Sequence, residues 1–275
     1  MEQSGSRVLR AYAKINLFLD VLRKREDGYH EIISLFQNIS LYDRLIITKI
    51  ERGIEITSNV NLPENILYKV WDVFVKKVKT PNCGFKVEIE KNIPIEAGLG
   101  GGSSDAAAFL KFLSDEFNIP KKNLLLLAAE IGSDVPFFLE GGTALVKGKG
   151  QIIEKLLPIK GYNVKILTFN KGISTKSAYE MLKPSLFGKA KCNVYKLYEA
   201  YHLRDIKNIQ NCTYNIFEKV ILPIRSDIVS GIKKLKKECI VASMTGSGSA
   251  VYGITLDDAD YEFVSRGVEY EEIRL

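Results

Sequence analysis

Apolar and polar side chains alternate in part from residue 8 to residue 22, and Ala11-Tyr12-Ala13-Lys14-Ile15-Asn16-Leu17-Phe18-Leu19-Asp20 reads as an extended strand. Lys14 and Asn16 stand two apart, so they project from the same face of that strand. A lysine and an asparagine on an otherwise apolar strand mark either a solvated edge or a polar site. Strands at 44–50 and 54–58 read as a hairpin turning through Arg52-Gly53. Residues 65–79 carry Ile66, Val70, Val73, Phe74 and Val78 at helical spacing, and 85–90 alternate as a strand that Pro94 ends. Helices follow over 103–117 and 122–131, the second with an apolar run that implies deep burial, and 141–153 reads as two short strands about a turn. From about Leu156 the pattern changes. It predicts a strand at 164–169, helices at 175–182, 194–202 and 224–237, strands at 239–244 and 250–255, a last helix at 257–266 and a terminal strand at 269–274. Strands and helices that succeed one another without strict alternation favour an α+β fold over a doubly wound sheet.

Between the strand at 85–90 and the helix at 103–117 runs Pro94-Ile95-Glu96-Ala97-Gly98-Leu99-Gly100-Gly101-Gly102-Ser103-Ser104-Asp105. Its glycines allow close backbone approach and positive φ, and its closing hydroxyls and acid suit a helix start, where free N–H groups and the helix dipole favour an anion. A Walker loop needs a lysine after the last glycine, but Ser103 follows Gly102; the dinucleotide fingerprint needs a third glycine where Ser103 stands. A nucleotide phosphate in another kind of glycine loop fits, and a plain flexible turn is the competing reading. Thr245-Gly246-Ser247-Gly248-Ser249 forms a second glycine-hydroxyl loop between two predicted strands. After the Asp27-Gly28 turn, Tyr29 and His30 are either turn residues or a plane and a two-sided hydrogen-bonding ring that grip a flat base. Asp134, set in Gly132-Ser133-Asp134-Val135-Pro136-Phe137-Phe138, either caps a short turn or is a carboxylate with a cationic partner and a task.

Composition narrows the classes. With 275 residues, 46% of them apolar, the chain is long enough to bury one large core or two moderate ones. The longest apolar run, 124–129, is too short to cross a bilayer, and residues 1–7 are polar, so neither a membrane partner nor a secretion signal is expected and the location is taken as cytoplasmic. A net charge of +6 suits anionic ligands, but the lysines are scattered apart from Lys233, Lys234, Lys236 and Lys237, so nucleic acid is not indicated. Cys83, Cys192, Cys212 and Cys239 form no Cys-x-x-Cys pair and are expected as reduced thiols; with only two histidines, no protein-bound metal centre is expected.

Taken together, the segment with Lys14 and Asn16, the stretch from Pro94 to Ala107 and the loop from Thr245 to Ser249 resemble the three motifs of the GHMP kinases. Ala13-Lys14-Ile15-Asn16-Leu17 combined with Gly28-Tyr29-His30 is similar to the branch whose substrate is a cytidine-diphosphate-linked methylerythritol. The resemblance spans nearly the whole chain and is weakest over 184–237. It implies a two-domain α+β fold, divided here at 1–155 and 156–275, with the active-site cleft between the domains. It also implies ATP with Mg2+, transfer of the γ-phosphoryl group to the 2-hydroxyl of the methylerythritol part in the non-mevalonate isoprenoid route, and a monomer or homodimer. Carried over residue by residue, Lys14 and Asp134 are the catalytic pair. Pro94, Gly98, Leu99, Gly100, Gly101, Gly102, Ser103 and Ser104 hold ATP phosphates, with Asn65 and Lys91 near the adenine. Asn16, Tyr29, His30, Thr245, Gly246, Ser247 and Gly248 fall on the substrate side, and Tyr179 is the second aromatic of a cytosine sandwich. A homoserine or mevalonate kinase has no reason to present Tyr29 and His30 to a base. A non-catalytic RNA-binding module leaves Lys14 and Asp134 without a joint purpose.

Overall fold

The computed structural model describes residues 5–78 and 82–271. Its strands are β1 (Arg7–Lys24), β2 (His30–Ile50), β3 (Ile54–Ser58), β4 (Gly84–Glu90), β5 (Thr143–Gly148), β6 (Ile152–Lys155), β7 (Asn163–Leu167), β8 (Tyr214–Asn215), β9 (Val241–Met244), β10 (Val251–Thr255), β11 (Tyr261–Val264) and β12 (Val268–Tyr270). The helices are α1 (Ile66–Lys77), α2 (Gly101–Glu116), α3 (Lys121–Ile131), α4 (Val135–Glu140), α5 (Thr175–Met181), α6 (Val194–Leu203), α7 (Ile206–Cys212), α8 (Glu218–Ile221) and α9 (Ser226–Leu235). The fold is α+β.

Two long antiparallel strands, β1 and β2, form the spine. From them the sheet runs β12-β1-β2-β11-β7-β10-β9, with β4 and β5 also pairing β2 and β8 pairing β1. The β1–β2 register slips between Tyr12 and Lys14 and again between Asn16 and Phe18. Bulges re-aim side chains, and these two bracket Lys14 and Asn16. With β2 on one side and the two glycine loops on the other, where the Lys14 N–H donates to the Leu99 carbonyl and the Asn16 N–H to Thr245 Oγ1, the pair is buried and not a solvated edge: Lys14 is 4% exposed and Asn16 2%.

One apolar core takes its buried residues from 9–146, with Val268 of β12 packed against it, and packs α1, α2, α3 and α4 against the spine through Phe74, Phe85, Phe109 and Phe137. Ala106, Ala107 and Ala108 are fully buried, and their small side chains let α2 press against the sheet and bring its first turn under the glycine loop. Two further cores join β1 and β2 residues to the C-terminal half.

Several local expectations give way to non-local pairing. Strands 44–50 and 54–58 do not form a hairpin: β4 lies between them, antiparallel to β2 and parallel to β3. Gly84 makes this possible, since a Cβ there would lie 2.2 Å from the Arg52 carbonyl carbon. The helix expected at 257–266 is replaced by β11, whose Phe263 pairs with Ile39 and joins the second core; burial of the alternating aromatics outweighs local preference. Helix α2 begins at Gly101 after a left-handed Gly100, earlier than expected, and no side chain caps it. Helix α3 buries one face only, leaving Leu126 66% exposed. Cys192 and Cys212, expected as thiols, form a disulfide because α6 packs on α7 and brings their Cα atoms within 5.1 Å. Residue 79 of the first expected helix and 272–274 of the terminal strand lie outside the described residues.

Candidate active site

A cleft of about 1410 Å³ runs from the glycine loop to the Tyr29–His30 turn. Of the residues singled out in the sequence, only Ser104, Thr245 and Gly248 stand outside its lining. Its centre is a network around Asn16. The Asn16 Oδ1 accepts hydrogen bonds from Lys14 Nζ at 2.7 Å, the Gly246 N–H at 2.8 Å and Thr245 Oγ1 at 3.2 Å, while its Nδ2 donates to Ser34 Oγ at 2.9 Å. Asn16 therefore joins the N-terminal strand to the late glycine loop and has no side-chain polar atom left over.

The two glycine loops touch at this network. Lys14 Nζ donates to the Gly98 carbonyl at 2.9 Å and Thr245 Oγ1 donates to the same oxygen at 3.2 Å. Gly98 has φ +77°, and a Cβ on it would lie 2.2 Å from the Thr245 carbonyl oxygen. A left-handed backbone in such contact admits only glycine. Ser104 is sealed behind the loop, its hydroxyl donating to the Tyr12 carbonyl at 2.8 Å. Ser103 and Gly102 face the cleft, and Gly100 and Gly101 line it at the start of α2.

Asp134 lies in the residue before α4 without capping it. Its nearest polar neighbour is Ser133 Oγ at 3.5 Å. Burial lowers the Lys14 ammonium from its ordinary range, and the charge of Asp134 opposes that shift. Lys14 and Asp134 thus sense each other across the cleft floor without forming an ion pair. Burial, reinforced by Asp134, raises the Tyr179 phenol.

At the far end the aromatic arrangement differs from the expected sandwich. His30 stacks on Tyr179, with ring centroids 4.8 Å apart and planes at 20°. Tyr29 is 58% exposed, with Lys149 Nζ 4.5 Å from its ring centroid. Phe187 meets the His30 ring edge-on at 5.7 Å, and Phe217 braces Tyr179 at 4.9 Å. Burial and the charge of Lys24 lower the His30 imidazole, favouring its neutral form. Phe187 and Lys149 were not singled out in the sequence. Lys149, between Gly148 and Gly150 in a turn, had a readable signal; Phe187 lies where no motif is recognisable.

At the other end Asn65 caps α1, its Oδ1 accepting from the Leu67 N–H at 2.9 Å. Lys91 borders the cleft, but its ammonium is held by Asp43 and Asp105. With a glycine-rich backbone at a helix start, a lysine and an aspartate and a pocket of flat rings along one cleft, the site can align a phosphoryl donor with an acceptor carrying an aromatic group.

Comparison with known proteins gives the same picture. The model of the GHMP kinases N terminal domain matches residues 65–142. The chain is 64% identical to 4-diphosphocytidyl-2-C-methyl-D-erythritol kinase of Thermosipho melanesiensis over the full length of both. It is 46% identical to the enzyme of that name from Thermotoga maritima, covering 95% of this chain and 97% of the relative. A crystal structure of 4-(cytidine 5'-diphospho)-2C-methyl-D-erythritol kinase superposes with a TM-score of 0.78 and 31% identity over 90% of each chain. Homoserine kinase from Cytophaga hutchinsonii shares the fold, with a TM-score of 0.72 and 16% identity over 98% of this chain and 99% of that one.

Proposed function

The chain belongs to the 4-diphosphocytidyl-2-C-methyl-D-erythritol kinases of the GHMP kinase superfamily, and on that premise we propose how its own residues transfer the γ-phosphoryl group of ATP to the 2-hydroxyl of that cytidine diphosphate substrate. It is a small-molecule kinase that uses ATP, and its product enters the non-mevalonate isoprenoid route. The observation that carries the mechanism is the meeting of Lys14, the Gly98 carbonyl and the late glycine loop on one face of the cleft that Asp134 also lines.

ATP lays its phosphates along the loop from Pro94 to Ser103, with the adenine toward Asn65. The cytosine enters at Tyr29, His30 and Tyr179. Phosphoryl transfer depends on in-line placement and charge stabilisation more than on covalent help from the protein. The substrate oxygen bonds to the γ-phosphorus as the bond to the β-phosphate bridging oxygen breaks, and ADP leaves. Asp134 orients the hydroxyl and takes its proton. Lys14, anchored by Asn16 and the Gly98 carbonyl, stabilises the negative charge that gathers on the transferred group. Mg2+ bound to the nucleotide would be held mainly by phosphate oxygens and water and would offset their charge. The division at 1–155 and 156–275 belongs to the same reading, supported by a core whose fully buried residues all lie within 9–146. So do a cytoplasmic location and a monomer or homodimer, with neither nucleic acid nor membrane as partner; no described helix is long and apolar enough to cross a membrane.

The test is ADP release from MgATP with a panel containing 4-diphosphocytidyl-2-C-methyl-D-erythritol, homoserine and mevalonate. Turnover with the first alone is expected, and turnover with either of the others at equal efficiency overturns the substrate assignment. Asp134→Asn is expected to lower kcat by on the order of 10²-fold or more. Near-normal kcat in a folded Asp134→Asn protein removes the carboxylate from the mechanism.

A further inference from the structure

Beneath the glycine loop one ammonium faces two carboxylates in a buried pocket at the edge of the cleft. Asp43 comes from β2, Lys91 from the residue after β4 and Asp105 from the fifth position of α2. Lys91 donates to Asp43 and, at 2.8 Å, to Asp105 Oδ2; the Lys91 side chain is only 5% exposed. The Asp43 Oδ1 accepts from the N–H groups of Asn92 at 2.6 Å and Ile93 at 2.8 Å. The Asp105 Oδ1 is buried without a hydrogen-bond donor among the described residues. Gly101 closes the pocket, since a Cβ there would lie 3.0 Å from Ile93 and 3.2 Å from Lys91 Nζ. The three side chains therefore grip the backbone on both sides of the loop, at 91–93 on entry and at 101–105 on exit.

We infer that this pocket holds Asp105 as the neutral acid, and that its neutrality makes it a positioning residue for ATP, acting through Lys91, Gly101 and the first turn of α2. One ammonium compensates one carboxylate, and a second negative charge in a dry pocket is penalised by desolvation and by its neighbour. Burial pushes Asp105 up to about 8, the pull of Lys91 opposing that rise and the repulsion of Asp43 adding to it. Lys91 and Asp43 are the charged groups that face it. Burial disfavours the Lys91 cation, but Asp105 and Asp43 outweigh this and hold it above its ordinary range. Once Asp105 ionises, an uncompensated negative charge stands behind the helix start that receives the phosphates.

The inference rests on ATP binding as proposed above, and its test separates the two. MgATP is titrated calorimetrically into wild type and Asp105→Asn from about pH 7 to about pH 9, a window in which any titration of the nucleotide is common to both proteins. Wild type is expected to lose affinity by about fivefold across that range, the effect of one unit charge on another about 17 Å away in a medium of dielectric about 20. Asp105→Asn, whose amide mimics the neutral acid, is expected to match wild type near neutrality and to lack this additional loss, keeping only the pH dependence common to both proteins. Infrared difference spectra of wild type supply a readout that needs no variant: a protonated-carboxyl band is expected at neutral pH and disappears through about pH 8. A loss of affinity as large in Asp105→Asn as in wild type, or no such band at neutral pH, overturns the inference and leaves the kinase reading intact. Absence of ATP binding at every pH overturns the kinase reading and this inference with it.

Discussion

The two ends of the cleft are built from different materials. At the glycine-loop end, proposed for the phosphates, the wall is backbone from one contiguous stretch, and what it needs from side chains is mostly their absence: a Cβ on Gly98, which has a left-handed φ, would meet the Thr245 carbonyl. At the end proposed for the substrate, the wall is rings from separated segments, with His30 from the start of β2, Tyr179 from α5, Phe187 from the segment after it and Phe217 before α8. A backbone cradle is specified by composition over a dozen residues. A ring pocket exists only after distant segments have packed.

That contrast predicts how each end fails. The largest effect belongs to Gly98→Ala, which adds strain of about 1–3 kcal/mol to a clash with backbone. It is expected to lower kcat/KM for ATP by about 10²-fold, whereas Gly102→Ala, whose Cβ would meet only Ile66 at 3.9 Å, has a much smaller effect. Equal effects at the two glycines would erase the claim that close contact, and not glycine content, defines the cradle. Next comes Tyr179→Ala, which removes a face of the ring pocket. A lost stack amounts to about 1–3 kcal/mol, so KM for the cytidine diphosphate substrate is expected to rise about tenfold with KM for ATP unchanged. Steady-state kinetics with each substrate varied in turn checks this, and a rise in KM for ATP instead would show that the two ends are not separable. The smallest effect is expected of Phe187→Ala. Its edge contact with His30 amounts to about 0.5–1.5 kcal/mol, so KM for the same substrate rises about threefold, and no rise would reduce Phe187 to packing alone.

The spacing of Lys14 and Asn16 already placed both on one strand face, and the structure bonds them at 2.7 Å. Their burial was not legible, because it follows from β2 on one side of β1 and the loops at Leu99 and Thr245 on the other. Asp134 was ambiguous in isolation for the same reason: its charge acts on Lys14, 120 positions away in the chain. Tyr29 was read as the base platform, yet His30 is the ring in contact with Tyr179. The turn at Asp27-Gly28 presents two neighbouring rings, and nothing local says which one meets a partner from α5.

By itself the sequence determined the α+β class, the strand–glycine loop–helix unit and the types of group the chemistry requires, because propensity, glycine conformation and alternation are properties of neighbouring residues. Only the tertiary structure decided the insertion of β4 between β2 and β3, the Cys192–Cys212 bond and the His30–Tyr179 stack. It also decided the sharing of Lys91 by two carboxylates under the loop. Each of these depends on burial and contact between segments far apart in the chain, where desolvation and packing outweigh any local preference.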